Sequence, residues 1–140
     1  MTPEITVLMP VHNGEAYLRE AVESILTQTF RDFEFLVVDD ASDDRTVEIL
    51  ESFGDPRLRL VKSAERLRFS GALNLGLAHA RGALIARMDA DDVALPDRLA
   101  CQREFMRAHP ELGLSGGLAT AFGLRQGAYF RPPMTSAEIQ

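Results

Sequence analysis

Four short apolar runs, each followed by a stretch with helical spacing, constrain this 140-residue chain more than any other feature. Ile5–Met9 reads as a strand that stops at Pro10. Glu15–Gln28 then carries Leu18, Ala21, Val22, Ile25 and Leu26 at helical spacing. Phe33–Val38 is a second run, apolar but for Glu34 and bounded by Asp39-Asp40. Ser42 is placed to cap a helix with Val47, Leu50 and Phe53 on its inner face, and Asp43 and Asp44 sit near the positive end of its dipole. Gly54-Asp55-Pro56 breaks the chain, and Leu58–Val61 reads as a third strand. Ser70–Ala80 predicts a helix ended by Gly82 after Arg81. Leu84–Met88 is a fourth strand, closed by Asp89. Pro96 opens another helix that runs to about His109, where Pro110 stops it. The segment Glu111–Gln140 is glycine-rich and weakly patterned, with room for two short strands.

Strands that alternate with helices predict βαβ units, and runs apolar on both faces predict a sheet covered on each side. The expected fold is therefore α/β, a three-layer α/β/α arrangement with a mainly parallel central sheet, in one domain over residues 1–140. No run approaches the roughly 20 apolar residues that span a bilayer. The N-terminus MTPEITVLMP lacks the basic and apolar regions of a secretory signal. One cysteine, Cys101, excludes an internal disulfide framework and fits a reducing compartment. The net charge of −6 argues against a general nucleic-acid surface. Lys62 is the only lysine, which disfavours a Walker-type phosphate lysine or a Schiff base, and no G-x-G-x-x-G or Walker motif occurs.

Parallel sheets bind ligands at the carboxyl ends of their strands, which points to the residues after Met9, Val38 and Met88. The first end, Pro10-Val11-His12-Asn13-Gly14-Glu15, offers turn residues, backbone N–H groups and a flat ring; it is equally a plain strand-to-helix turn. The second end places Asp39 and Asp40 side by side, where at least one needs hydrogen-bond donors. The third, Asp89-Ala90-Asp91-Asp92, puts three carboxylates in four positions. In extended geometry Asp89 and Asp91 point the same way, and hard oxygen donors select Mg²⁺ or Mn²⁺. A solvated acidic loop is the plain alternative. Together, a ring, an acceptor and a divalent-ion site on one rim are what a nucleoside diphosphate needs.

Four blocks, Val7–Glu15, Ser24–Phe30, Val37–Asp44 and Ala86–Asp92 with Pro96-Asp97-Arg98-Leu99, resemble the family 2 inverting glycosyltransferases in order and spacing, from about Glu4 to at least Gly117. The resemblance implies the GT-A nucleotide-diphospho-sugar transferase fold. It implies that Pro10, His12 and Glu15 line the base and ribose, with imidazole standing where tyrosine is usual. Asp40 would accept a hydrogen bond from the base, with Asp39 structural. Asp89 would face the ribose or sugar, and would be a second candidate metal ligand beside Asp91, the direct ligand of Mn²⁺ or Mg²⁺. Asp92 would orient water or the sugar. Arg66-Leu67-Arg68-Phe69-Ser70 departs from the pattern by placing arginines where asparagine and glycine are usual, and Arg68 reads as a phosphate contact or a surface residue.

The implied reaction transfers a sugar from a nucleotide-diphosphate donor, UDP being the commonest, to a saccharide or lipid-linked acceptor hydroxyl with inversion. The general base of such enzymes lies in the acceptor-side half, expected past Gln140; Arg131-Pro132-Pro133 looks like a lead into it, and Glu138 is too isolated to be assigned that role. This chain is thus expected to be a truncated, donor-binding half. Cytoplasmic location, association with the inner membrane face and a homodimer formed through apolar surface are further expectations from the resemblance. A receiver-like Mg²⁺-binding signalling domain and a non-catalytic interaction module are the alternatives. The first is disfavoured because Lys62 is misplaced for it. Cys101, His79, His109, Phe105 and Met106 are read as structural or surface residues.

Overall fold

The computed structural model describes residues 2–122 and the short strand Tyr129–Phe130; Arg131-Pro132-Pro133 and Glu138 lie outside the described residues. The element order is β1 (Ile5–Val11), α1 (Leu18–Leu26), β2 (Phe33–Asp39), α2 (Thr46–Glu51), β3 (Leu58–Lys62), α3 (Arg68–His79), β4 (Leu84–Arg87), α4 (Arg98–Ala108), β5 (Ala119–Thr120) and β6 (Tyr129–Phe130). The chain divides into two compact units, Met1–Leu99 and Ala100–Gln140.

In the first unit β3-β2-β1-β4 form one sheet, and every pairing is parallel. The central strands show why their sequences read as apolar runs: all of β2 is buried, β1 is buried except at Pro10, and the polar Thr6 and Glu34 bond each other. Alternate residues of β1 serve opposite faces. Ile5, Val7, Met9 and Val11 pack with Leu18, Val22 and Ile25 of α1 and Ile49 and Leu50 of α2, together with Phe33, Phe35, Val37 and Leu99. Leu8 packs on the other face with Leu36, Val38 and Ala72 of α3. The result is the expected three-layer α/β/α architecture.

Two local expectations are corrected. Pro10 does not stop β1, which continues to Val11 with Pro10 paired to Val38. The Leu8 carbonyl accepts from Met88 N–H on the β4 side, and the Val11 carbonyl accepts from Asp40 N–H on the β2 side. Alternation therefore turns the nitrogen of Pro10 toward β4, where it has no N–H to give, and the β1–β4 ladder ends there while the pairing with β2 runs on. Ser42 does not cap α2 either. The Thr46 N–H is taken by Asp44 Oδ1 at 2.9 Å, while Ser42 Oγ serves the neighbouring loop.

In the second unit, Phe105 and His109 stack one turn apart with ring centroids 4.6 Å from each other, and β5 pairs antiparallel with β6.

Candidate functional site

The carboxyl ends of β1, β2 and β4 meet on one rim of the sheet. At the β1 end Asn13 adopts φ 50°, a conformation asparagine tolerates better than most residues. Its side chain makes a reciprocal pair with Asp43: Nδ2 donates to Asp43 Oδ1 at 2.7 Å, and Asp43 N–H donates back to Oδ1 at 2.9 Å. The backbone N–H groups of Asn13, Gly14 and Glu15 donate to Ser42 Oγ, Thr46 Oγ1 and Asp44 Oδ2. These three donors are thus spent on the β2–α2 loop rather than left for an anion. Glu15 accepts from the Arg45 N–H at 3.2 Å, which closes the latch. Asp44 is held below the usual carboxylate range: desolvation raises it, and the bonds from Thr46 and Glu15 together outweigh that.

Asp39 and Asp40 are both buried, and their surroundings differ. Asp40 accepts three hydrogen bonds, from Arg66 Nη1 at 2.7 Å, Leu67 N–H at 2.6 Å and Arg68 N–H at 2.9 Å. A buried carboxylate is tolerated when it is paired and bonded in this way. Its carbonyl in turn accepts from His12 Nδ1 at 2.9 Å, so Nδ1 carries the proton and the exposed imidazole is pinned beside Asp40. Asp39 has only a long contact from Ser42 N–H to Oδ2, at 3.4 Å, and its Oδ1 has no hydrogen-bond partner.

Beyond β4 the chain turns: Asp92 N–H reaches the Asp89 carbonyl at 3.2 Å. The extended geometry expected for Asp89–Asp91 is therefore replaced by a turn, because β4 ends at Arg87. Asp89 is half-buried, whereas Asp91 and Asp92 are exposed. Asp89 Oδ2 accepts from Arg87 Nη2 at 2.6 Å, and Oδ1 is buried with no partner. Partial desolvation pushes the Asp92 carboxyl up, and the charges of Asp89 and Asp91 push it further, so the three acids share one field. Among the described residues no group of three or more His, Cys, Asp or Glu side chains is arranged to hold a metal ion unaided. An orphaned carboxylate oxygen in a mutually repelling acid cluster nonetheless fits a divalent cation whose remaining ligands are water and phosphate oxygens, the usual habit of Mg²⁺.

The segment 66–69 joins the two acidic ends. Arg66, Leu67 and Arg68 hold Asp40, while the ring of Phe69 lies 5.2 Å beneath the Arg87 guanidinium that holds Asp89. The β1 and β4 loops are close as well, since a Cβ added to Gly14 would stand 3.9 Å from the Ala90 Cβ. Sequence reasoning missed Arg66 and Arg87. The signal for Arg87 was present in its i, i+2 spacing from Asp89; nothing local in the sequence tied Arg66 to Asp40.

Cys101 is exposed. His79 donates from Nδ1 to the Leu75 carbonyl at 2.9 Å within its own helix. Among the described residues no helix is long and apolar enough to cross a membrane.

The family model for glycosyl transferase family 2 matches residues 6–130. EpsE of Bacillus subtilis (strain 168) is 37% identical over 110 residues, which are 76% of this chain and 40% of EpsE. S. aureus TarS, in a crystal structure with UDP-GlcNAc, superposes with a TM-score of 0.73 at 28% identity, covering 76% of this chain and 32% of that one. The mannosyltransferase PcManGT from Pyrobaculum calidifontis, in complex with GDP-Man and Mn²⁺, gives a TM-score of 0.69 at 32% identity, covering 76% of this chain and 33% of that one. The chain thus spans well under half the length of these relatives.

Proposed function

This chain belongs to glycosyl transferase family 2, and from that premise we propose that it is the donor-binding part of an inverting, metal-dependent transferase whose donor is a nucleotide-diphosphate sugar, with UDP as the nucleotide. The observation that carries the reading is the unpartnered Oδ1 of Asp89 in a cluster of three acids, linked through residues 66–69 to the Asp40 end of the same rim. Two relatives support it, since TarS is seen with UDP-GlcNAc and PcManGT with GDP-Man and Mn²⁺.

On this reading His12 offers its ring face to the base, and its bond to the Asp40 carbonyl keeps that ring from turning. Pro10 and Glu15 line the base and ribose. Asp40 faces the base, and its carboxylate already accepts from Arg66, so guanidinium and carboxylate present themselves as one unit. Asp91 holds the cation, with Asp89 beside it and toward the ribose or sugar. When bound, the cation stabilises negative charge on the departing diphosphate as a Lewis acid. The acceptor hydroxyl attacks opposite the diphosphate, and the carboxylate that takes its proton belongs to the part of the relatives' length that this chain does not span. The acceptor is a saccharide or lipid-linked hydroxyl, and the complete enzyme works at the cytoplasmic face of a membrane.

Calorimetry of the 140-residue protein with UDP, dTDP and GDP, each with and without Mn²⁺, tests the reading. Binding of at least one diphosphate that depends on Mn²⁺ is expected. No metal-dependent binding to any of the three would refute it.

A further inference from the structure

We propose that Arg87 is a tethered counter-ion that makes cation binding at the Asp89–Asp92 turn conditional on the diphosphate; the inference rests on the donor-binding reading given above. Arg87 is the last residue of β4 and is held from several sides. Its Nη2 donates to Asp89 Oδ2 at 2.6 Å, its guanidinium carbon lies 5.2 Å from the Phe69 ring centroid, and its carbonyl accepts from Arg98 Nη2 at 2.8 Å. A half-solvated pair of this kind, with side chains 54% and 33% exposed, is weak enough to be displaced. It nonetheless opposes a lone cation, because the guanidinium charge held beside Asp89 repels a divalent ion approaching the unpartnered Oδ1.

In the free protein Arg87 therefore neutralises part of the charge that would draw a lone cation. A diphosphate supplies that charge itself and offers the guanidinium alternative acceptor oxygens, which draws its positive charge away from Asp89. Cation and nucleotide then bind together, and neither binds well alone. The Phe69 ring keeps the released guanidinium near its place by cation–π attraction.

The test is a titration of Mn²⁺ followed by electron paramagnetic resonance of the free ion, with and without UDP, for the unsubstituted protein, Arg87→Met and Arg87→Lys. Without UDP, Arg87→Met binds Mn²⁺ on the order of tenfold more tightly than the unsubstituted protein, and Arg87→Lys restores weak binding because it restores the charge. With UDP the gap narrows. Equal Mn²⁺ affinity of Arg87→Met and the unsubstituted protein without UDP overturns the role of Arg87, while Mn²⁺-dependent UDP binding by both leaves the donor-binding reading intact. If neither protein binds UDP with Mn²⁺, the donor-binding reading fails and this inference fails with it. Arg87→Gln, which keeps polarity and loses charge, follows Arg87→Met and substitutes for it if that variant does not fold.

Discussion

Arg66 Nη1 stands 2.7 Å from Asp40 Oδ2, and this contact ties the approach to α3 onto the end of β2. The guanidinium is half-exposed, while the carboxylate is almost fully buried and also accepts the N–H groups of Leu67 and Arg68. The pair is thus lopsided. Asp40 needs its partners far more than Arg66 does.

That asymmetry sets the first prediction. Asp40→Ala leaves two backbone donors and a guanidinium without their acceptor and costs about 2–3 kcal/mol of stability. Arg66→Met leaves the backbone donors in place and costs about 1 kcal/mol, because the arginine is already half in water. Urea unfolding measures both, and equal losses would contradict the account.

Arg68 adopts φ 63° at the first residue of α3, a strained conformation for a residue with a Cβ. Its backbone N–H, not its side chain, holds Asp40. Arg68→Gly keeps that bond, relieves the strain and is expected to raise stability by about 0.5–1 kcal/mol. A loss of stability would mean that the side chain contributes more than its geometry shows.

Two glycines separate backbone from side-chain crowding. A Cβ at Gly82 would meet Thr6 N at 2.3 Å and Ile5 C at 2.5 Å, both of them main-chain atoms in β1. A Cβ at Gly76 would meet only side-chain atoms, Leu8 Cδ1 at 2.3 Å, Val38 Cγ2 at 3.1 Å and Leu8 Cδ2 at 3.2 Å, which repacking can shift more readily than main chain. Gly82→Ala is therefore expected to lower the melting temperature well beyond Gly76→Ala, where helix propensity returns about 0.8–1 kcal/mol. The reverse order would show that the α3–β4 turn yields more easily than the core.

Glu34 gives the fold a pH dependence far from the proposed ligand rim. Burial raises its pKa, yet the bonds from Thr6, Arg59 and the Arg81 N–H outweigh burial and hold the carboxyl below the usual glutamate range. A depressed folded-state pKa contributes stability that is present above the unfolded value, roughly 4.3, and is lost as pH falls through the lower folded value. Urea midpoints between neutral pH and pH 3 should fall more steeply for the unsubstituted protein than for Glu34→Gln. Parallel curves would remove Glu34 from the account.

Much of this was legible in the residues themselves. β1 and β2 are buried on both faces and carry few polar residues besides the bonded Thr6–Glu34 pair, so they read as strands, and the ends of β1, β2 and β4 followed from topology. The misreadings share a cause: they depended on which neighbour a backbone group meets. Pro10 reads locally as a break, yet it interrupts only the pairing with β4 and leaves that with β2 intact. Ser42 reads as a cap, yet its hydroxyl finds Asn13 N–H, 29 residues away. The turn closed by Asp92 N–H on the Asp89 carbonyl depends on where β4 stops, which an apolar run does not specify to the residue.

If the acid cluster after β4 holds a cation shared with a diphosphate, Asp91→Asn removes the side chain that holds it. Calorimetry with UDP in the presence and absence of Mn²⁺ should show that the unsubstituted protein gains affinity from the metal, and that Asp91→Asn loses this gain while keeping its thermal stability, since Asp91 is exposed. An Asp91→Asn protein that binds UDP and Mn²⁺ as the unsubstituted one does would contradict the account.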